Sequence, residues 1–570
     1  MFLIQRHSIY GLQICLATFL QITIAATSLV VAQTNMQLER IVTEIQQQLD
    51  AQNTETFNPG LDWERLRKFY ATNKYSPVWI DIKGPLPKAS VLRETLHNAA
   101  AEGLDPQTYR IETLDNIWPS RLPDKLAQLD LLLTDALLAY SVDVSYGRFD
   151  PQEIDPLWHI ARPNVDAMAL LRSIIANEDM SAALQALPPS QVGYKRLRAA
   201  LAHYQQIAQN GGWSPLQAGP LLEFGTYHPE VTFLRHRLSI EGDLELRPVR
   251  DEEFFDRAVK HAVERFQVRY GLNMDGIVGP ATRAVMNVPV TERIEKLKLN
   301  MERWRWLPRH LEQRYIMVNT AGFELAAFDD GQPRFTMGVI IGTPDRQTPV
   351  LNGILHTVVF NPYWTVPRTI AAEELIPKQR RNPNFMSQRG IRVYRNGEEL
   401  DPREVDWSKV DNDHMPYILR QDPGPRNPLG RIKFLFSNRH QVYLHDTPQQ
   451  GLFNHTKRAF SHGCVRVEDP LRLANFVLGD DNAWYEINAW DESEDNKWDV
   501  DKIKAMMEAD ESVEVPVTER VPIYLVYWTA WVAEDGGVFF RPDIYERDQS
   551  NCAEIAAKPP KTGSSADIIQ

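Results

Sequence analysis

Cys464 stands within Phe460-Ser461-His462-Gly463-Cys464-Val465-Arg466-Val467, downstream of Tyr443-Leu444-His445-Asp446-Thr447-Pro448. A thiolate is a strong nucleophile, but an unperturbed thiol, with a pKa near roughly 8.5, is mostly protonated at neutral pH and needs a base. His445 precedes the cysteine by 464 − 445 = 19 residues, enough for a loop to return the thiol to it. An imidazole so placed can accept the thiol proton and later deliver it to a leaving amine. Gly463 gives the backbone freedom to present the thiol, and the amides of Gly463 and Cys464 are candidate donors to a tetrahedral oxyanion. Arg466, two residues further along a continuing strand, would share the face of Cys464 and suits a bidentate carboxylate contact or a surface ion pair. Asp469-Pro470 reads as the N-cap and first-turn proline of a helix. His445, His455, His462 and Cys464 also carry the ligand types of a zinc site, but their spacings of ten, seven and two match no ligand rule, so no metal is expected. His455 is expected at the surface.

The elements that must hold these residues change character along the chain. From about 36 to 220 the apolar spacing is helical, as in Leu126, Leu129, Leu132, Leu133, Ala136 and Leu137, and Ser145 to Pro151 reads as a helix end and turn. From 224 to 290 a three-helix module is expected. Val231, Leu234 and Leu238 share one helical face, Phe255, Val259, Ala262, Val263 and Phe266 share another, and Pro280 opens a third helix. After about 313 the period becomes that of strands, at 315–319, 323–328, 335–341, 354–360, 432–436, 441–445 and 521–533. A mostly β sandwich or barrel follows, with the Pro- and Arg-rich segment 368–430 inserted as a lid.

With 570 residues the chain is multidomain, and 43% apolar and 24% charged residues mark a folded protein rather than a disordered or polytopic membrane one. Its 62 basic against 75 acidic residues give a net charge of −13, which offers no general field for nucleic acid. Residues 1–32 read as a signal peptide or signal anchor, because Ile9 to Ala32 contains no Lys, Arg, Asp or Glu. Cys15 falls in that segment and Cys552 in a tail, 549–570, expected to be disordered, so the three cysteines exclude a disulfide framework.

The segments Ser461-His462-Gly463-Cys464-Val465-Arg466, His445, Asn361-Pro362-Tyr363-Trp364 and Asn300 to Pro308 closely resemble the L,D-transpeptidase (YkuD-type) family in its large YcbB-like periplasmic branch. Ala262 to Gln267, with Asp275 to Thr282, resembles the peptidoglycan-binding domain family. The resemblance implies an α+β multidomain fold: a helical scaffold (33–223), a peptidoglycan-binding domain (224–290) and a mostly β catalytic domain (313–545) with lid insertion 368–430. It implies Cys464 as nucleophile, His445 as proton acceptor and donor, and the residues before and at Cys464, including Gly463, as oxyanion donors. Arg466, Ser461, His462, Tyr443 and Trp364 are the substrate-binding residues it implies. The reaction would join peptidoglycan stem peptides 3→3 through a thioester with release of D-Ala, without cofactor. Donor and acceptor stems are the expected partners, with other wall-synthesis enzymes, no nucleic acid, and the membrane only through the N-terminal segment. Hydrolysis of the same thioester by water, or a catalytically silent wall-binding scaffold, are the competing functions.

Overall fold

The computed structural model of the protein describes residues 33–50, 60–479 and 498–548. The expected signal segment 1–32 with Cys15, and the expected disordered tail 549–570 with Cys552, lie outside the described residues. Among the described residues no helix is long and apolar enough to cross a membrane.

The longest scaffold helix, Pro123–Tyr146, is apolar around its whole circumference, so it must be surrounded. Helices Pro87–His97, Ile111–Ile117 and Ala167–Ile175 pack against it and bury Leu126, Leu129, Leu132, Leu133 and Leu137. Its most deeply buried carboxylate, Asp130, accepts from the Val78 amide (3.0 Å), the Trp79 amide (2.6 Å) and the Tyr70 hydroxyl (2.6 Å). The helix stops at Gly147, at φ 85°, a conformation that excludes most side chains. A Cβ there would also lie 2.6 Å from Trp306 Nε1. Asp150 then caps the helical turn Pro151–Ile154, in agreement with the turn expected from Ser145 to Pro151.

The three-helix module comprises Glu230–Ile240, Arg257–Arg269 and Pro280–Met286. All the residues assigned to its facing stripes are buried, although Phe255 precedes the second helix, which Asp256 caps. Helix Val290–Arg305 follows and joins module, scaffold and the strand-rich domain. Its Arg305, 1% exposed, donates through its two terminal nitrogens to Glu302 (2.8 Å), the Tyr194 hydroxyl (2.9 Å) and the Glu102 carbonyl, so a buried charge is paired where the domains meet.

The strand-rich domain is built on nine strands: β1 (Tyr315–Asn319), β2 (Glu324–Asp329), β3 (Gln332–Gly342), β4 (Leu351–Phe360), β5 (Ile432–Phe436), β6 (Leu444–His445), β7 (Ala459–Ser461), β8 (Val465–Val467) and β9 (Val513–Val526). They run in the order β7-β3-β8-β6-β5-β4-β9-β1-β2, and β2 pairs again with the first half of β3. That second pairing closes eight of the strands into a barrel, with β7 added at the end of β3. Alternation divides the short strands between two faces: Ile432, Phe434, Leu444, Val465 and Val467 enter the core, while Lys433, Tyr443 and Arg466 stay partly exposed outside.

Two expectations change in detail. The strand foreseen at 521–533 begins at Val513 and ends at Val526, with a register shift between Pro516 and Val521, and a separate hairpin pairs Ala530–Val532 with Val538–Phe540. Pro516 and Pro522 carry no N–H and obscure the strand pattern. The insertion is not merely a polar loop. It holds a four-stranded sheet in the order Trp364–Thr365, Ile418–Gln421, Ile391–Arg395, Glu398–Leu400, with its own core of Ile376, Met386, Val393, Trp407 and Leu419.

Candidate active site

A cleft of about 1180 Å³ runs between the outer face of the barrel and the inserted cap, and Cys464, His445, Tyr443 and Arg466 all line it. Strand register explains their convergence. β6 and β8 are parallel, with Leu444 opposite Val465 and His445 opposite Arg466. Tyr443 therefore stands beside Cys464, and His445 lies diagonally across from the thiol, on the same outward face. The three-residue return from β7 to β8 lifts Cys464 to the mouth of this face, where it remains partly exposed.

His445 is 5% exposed, and its Nδ1 lies 2.6 Å from the Asp446 carbonyl oxygen. A carbonyl only accepts, so Nδ1 carries the proton and Nε2 is left with its lone pair. Burial, together with the positive charges of Arg466 and Lys433, pushes the imidazole pKa down to about 3, whereas the Asp446 contact pulls it up. The imidazole is thus neutral at ordinary pH, with Nε2 free to accept a proton. Burial raises the Cys464 thiol, while the Tyr443 amide and hydroxyl, Lys433 and Arg466 favour the thiolate.

The loop bearing the thiol is held by its own small polar groups. Ser461, 3% exposed, accepts from the Gly463 amide (3.1 Å) and donates to the Cys464 carbonyl (2.5 Å). Thr348 donates to the Gly463 carbonyl (2.9 Å) and contacts Tyr545, whose hydroxyl donates to the Gly342 carbonyl (2.7 Å). Gly463 has φ 113°, which accounts for glycine here; a Cβ would meet nothing nearer than 3.7 Å. The Gly463 amide is already given to Ser461, whereas the Cys464 amide has no partner among the described residues. Ser461 therefore braces the loop from inside rather than facing the cleft.

The remaining expected residues separate by position. Arg466 donates to Gln449 Oε1 (2.8 Å) and makes no ion pair with a described acid. Trp364 lines the cleft from the first cap strand and packs on the cap core. His462 points to the cap instead of the thiol: its Nε2 meets Glu374 Oε1 at 2.5 Å. Arg346 pairs with Glu373 and, at 3.5 Å, with Glu374, so cap and barrel rim are latched by charge. His455 is exposed, and no group of three or more His, Cys, Asp or Glu among the described residues is placed to hold a metal ion. Asp469 caps helix Pro470–Leu478 through the Arg472 amide. Thr348, Tyr545, Lys433 and Glu374 carry no local motif and escape a reading of the sequence; only the fold brings them to the site.

Residues 313–511 match the family described as "L,D-transpeptidase catalytic domain", residues 227–286 the "Putative peptidoglycan binding domain" and residues 64–201 the "Scaffold domain". A Haemophilus influenzae protein named "Putative L,D-transpeptidase" is 36% identical over 263 residues, 46% of this chain and 50% of that protein. The chain thus spans about half the length of that curated relative. Among solved structures, an L,D-transpeptidase from Xylanimonas cellulosilytica is 16% identical over 54% of this chain and 99% of its own, with a TM-score of 0.17. One from Stackebrandtia nassauensis is 14% identical over 46% and 91%, with a TM-score of 0.20.

Proposed function

We propose that this chain, whose residues 313–511 match the L,D-transpeptidase catalytic domain and whose residues 227–286 match a peptidoglycan-binding domain, cross-links peptidoglycan stem peptides 3→3. The observation that carries the proposal is the outward face on which Cys464 lies diagonal to an imidazole with a free Nε2.

In this scheme His445 Nε2 takes the thiol proton and Cys464 Sγ attacks the carbonyl between the L-centre of meso-diaminopimelate and the terminal D-Ala of a tetrapeptide stem. The oxyanion is received by the unengaged Cys464 amide, with the Gly463 amide joining only if it leaves Ser461. The imidazolium protonates the departing D-Ala amine, leaving a thioester. An amine from a neighbouring stem, deprotonated by His445, attacks the thioester carbon, forms the new amide and returns the thiol. Arg466 on the floor, and Arg389 and Arg426 on the cap wall, line the cleft without acidic partners among the described residues, which suits the carboxylates of a stem peptide. Tyr443 and Trp364 supply its aromatic walls. The module at 227–286 would raise the local concentration of polymer at the cleft. The proposed substrate implies action in the periplasm, in wall biogenesis or remodelling and hence cell shape.

The test is incubation of the protein with disaccharide-tetrapeptide and mass analysis of the products. Dimers joined 3→3 with release of D-Ala are expected, and Cys464→Ala should abolish them without altering the melting temperature. Tripeptide alone would mean that water resolves the thioester, and undiminished cross-linking by Cys464→Ala would overturn the assignment.

A further inference from the structure

Lys433 is a cation in the cleft that the scheme above leaves unused. It lies on β5 as the ladder partner of His445, on the outward face, and is half-buried. Its Nζ sits 4.0 Å from the centroid of the Tyr443 ring, and it makes no hydrogen bond or ion pair with a described residue. A half-buried ammonium without a counter-ion is costly to keep charged, and burial indeed lowers its pKa.

Position shows where its charge is directed. The row across the sheet reads Arg466, His445, Lys433, Val359, Glu514. At roughly 4.8 Å per strand, Glu514 and the Cys464 segment flank Lys433 at similar backbone distances of about 10 Å on opposite sides. The ammonium leans over Tyr443, which is the neighbour of Cys464, and so toward the thiol and away from the exposed Glu514. Arg466, the other cation beside the thiol, is held by Gln449.

We propose that Lys433 is a positioning residue for the nucleophile: its ammonium, seated on the Tyr443 ring, supplies the fixed positive charge against which the Cys464 thiolate forms. The inference rests on the proposed reading only in taking Cys464 as nucleophile. The proton leaves Sγ for His445 Nε2, and no bond is made or broken at Lys433, which stays an ammonium throughout. The same charge disfavours imidazolium at His445. The pair is thereby biased toward thiolate and toward an imidazolium that gives its proton up readily, as protonation of a leaving amine requires.

The test is the rate of alkylation of Cys464 by iodoacetamide in the full chain from pH 5 to 10, followed by peptide mass mapping so that other thiols do not contribute. Lys433→Met should raise the apparent thiol pKa by about one unit and slow alkylation at pH 7 about tenfold. Lys433→Arg should stay within about twofold of the parent. A Lys433→Met profile superimposable on the parent, or a Lys433→Arg profile displaced as far as that of Lys433→Met, would overturn the proposal. Should Lys433→Met fail to fold, Lys433→Gln takes its place with the same expected shift. Alkylation involves no peptidoglycan, so these outcomes stand whichever way the cross-linking assay falls.

Discussion

On the scaffold helix, Asp130 is wholly buried with the Val78 and Trp79 amides and the Tyr70 hydroxyl donating to it, whereas on the cleft floor Lys433 and Arg466 line open space without an acid to meet them. Burial pushes the Asp130 carboxyl up to about 6, against the pull of its donors, so its surroundings are arranged to hold one side chain in place. In the cleft, burial brings His445 down to about 3 with the cations adding to the shift, and burial raises the Cys464 thiol while the same cations oppose that rise. Polar groups whose partners all lie within the chain describe architecture. Those left with unused hydrogen-bonding or charge capacity beside a nucleophile describe chemistry.

That contrast is broken most easily at His445. Replacing it by Ala should lower donor turnover by about 10²- to 10⁴-fold, the usual range for a positioned general base, with the fold retained by circular dichroism. A loss under tenfold would remove His445 from the chemistry. At the other pole, Asp130→Ala strands two amides and weakens the Tyr70 contact, at roughly 1–3 kcal/mol per group, so a loss on the order of 3 kcal/mol of stability is expected in denaturant titration. Alkylation of Cys464 should be unchanged wherever the protein remains folded. A parallel fall in alkylation would show that the scaffold tunes the cleft.

The smallest effect concerns pH. The unfolded chain binds a proton at His445 below about 6.5, whereas the folded chain does so only near 3, so the unfolded state holds more protons between these values and stability falls as pH falls through that window. Between pH 7 and 5 this amounts to about 2 kcal/mol. Parent and His445→Gln, compared by denaturant midpoint at both pH values, should differ by about that much in their acid sensitivity. Identical sensitivity would mean that His445 is readily protonated in place.

Much of the site was legible locally. Cys464, His445 and Gly463 stand out because a proposed nucleophile, a proposed base and a glycine at positive φ have distinctive residue types, and Asp469 because helix capping acts over three residues. The helical module was legible through its apolar period. Ser461 and His462 were legible as motif but not as roles: one turns inward to brace its own loop and the other outward to Glu374, a residue of the distant cap. The cap's independent core was hidden because Trp407, Met386 and Val393 are scattered among polar and proline residues with no single period.

By itself the sequence singled out the proposed nucleophile and base, the order of helical and strand-rich segments, and the family resemblance, since each depends on residue type and on spacing within a few turns or one strand. Only the tertiary structure decided that Tyr443 stands beside Cys464, that Lys433 shares a ladder row with His445, and that Thr348 and Tyr545 secure the glycine before the thiol. Those relations are strand registers and barrel closure between residues far apart in the chain. They are set by which faces bury together, a global property that no local pattern carries.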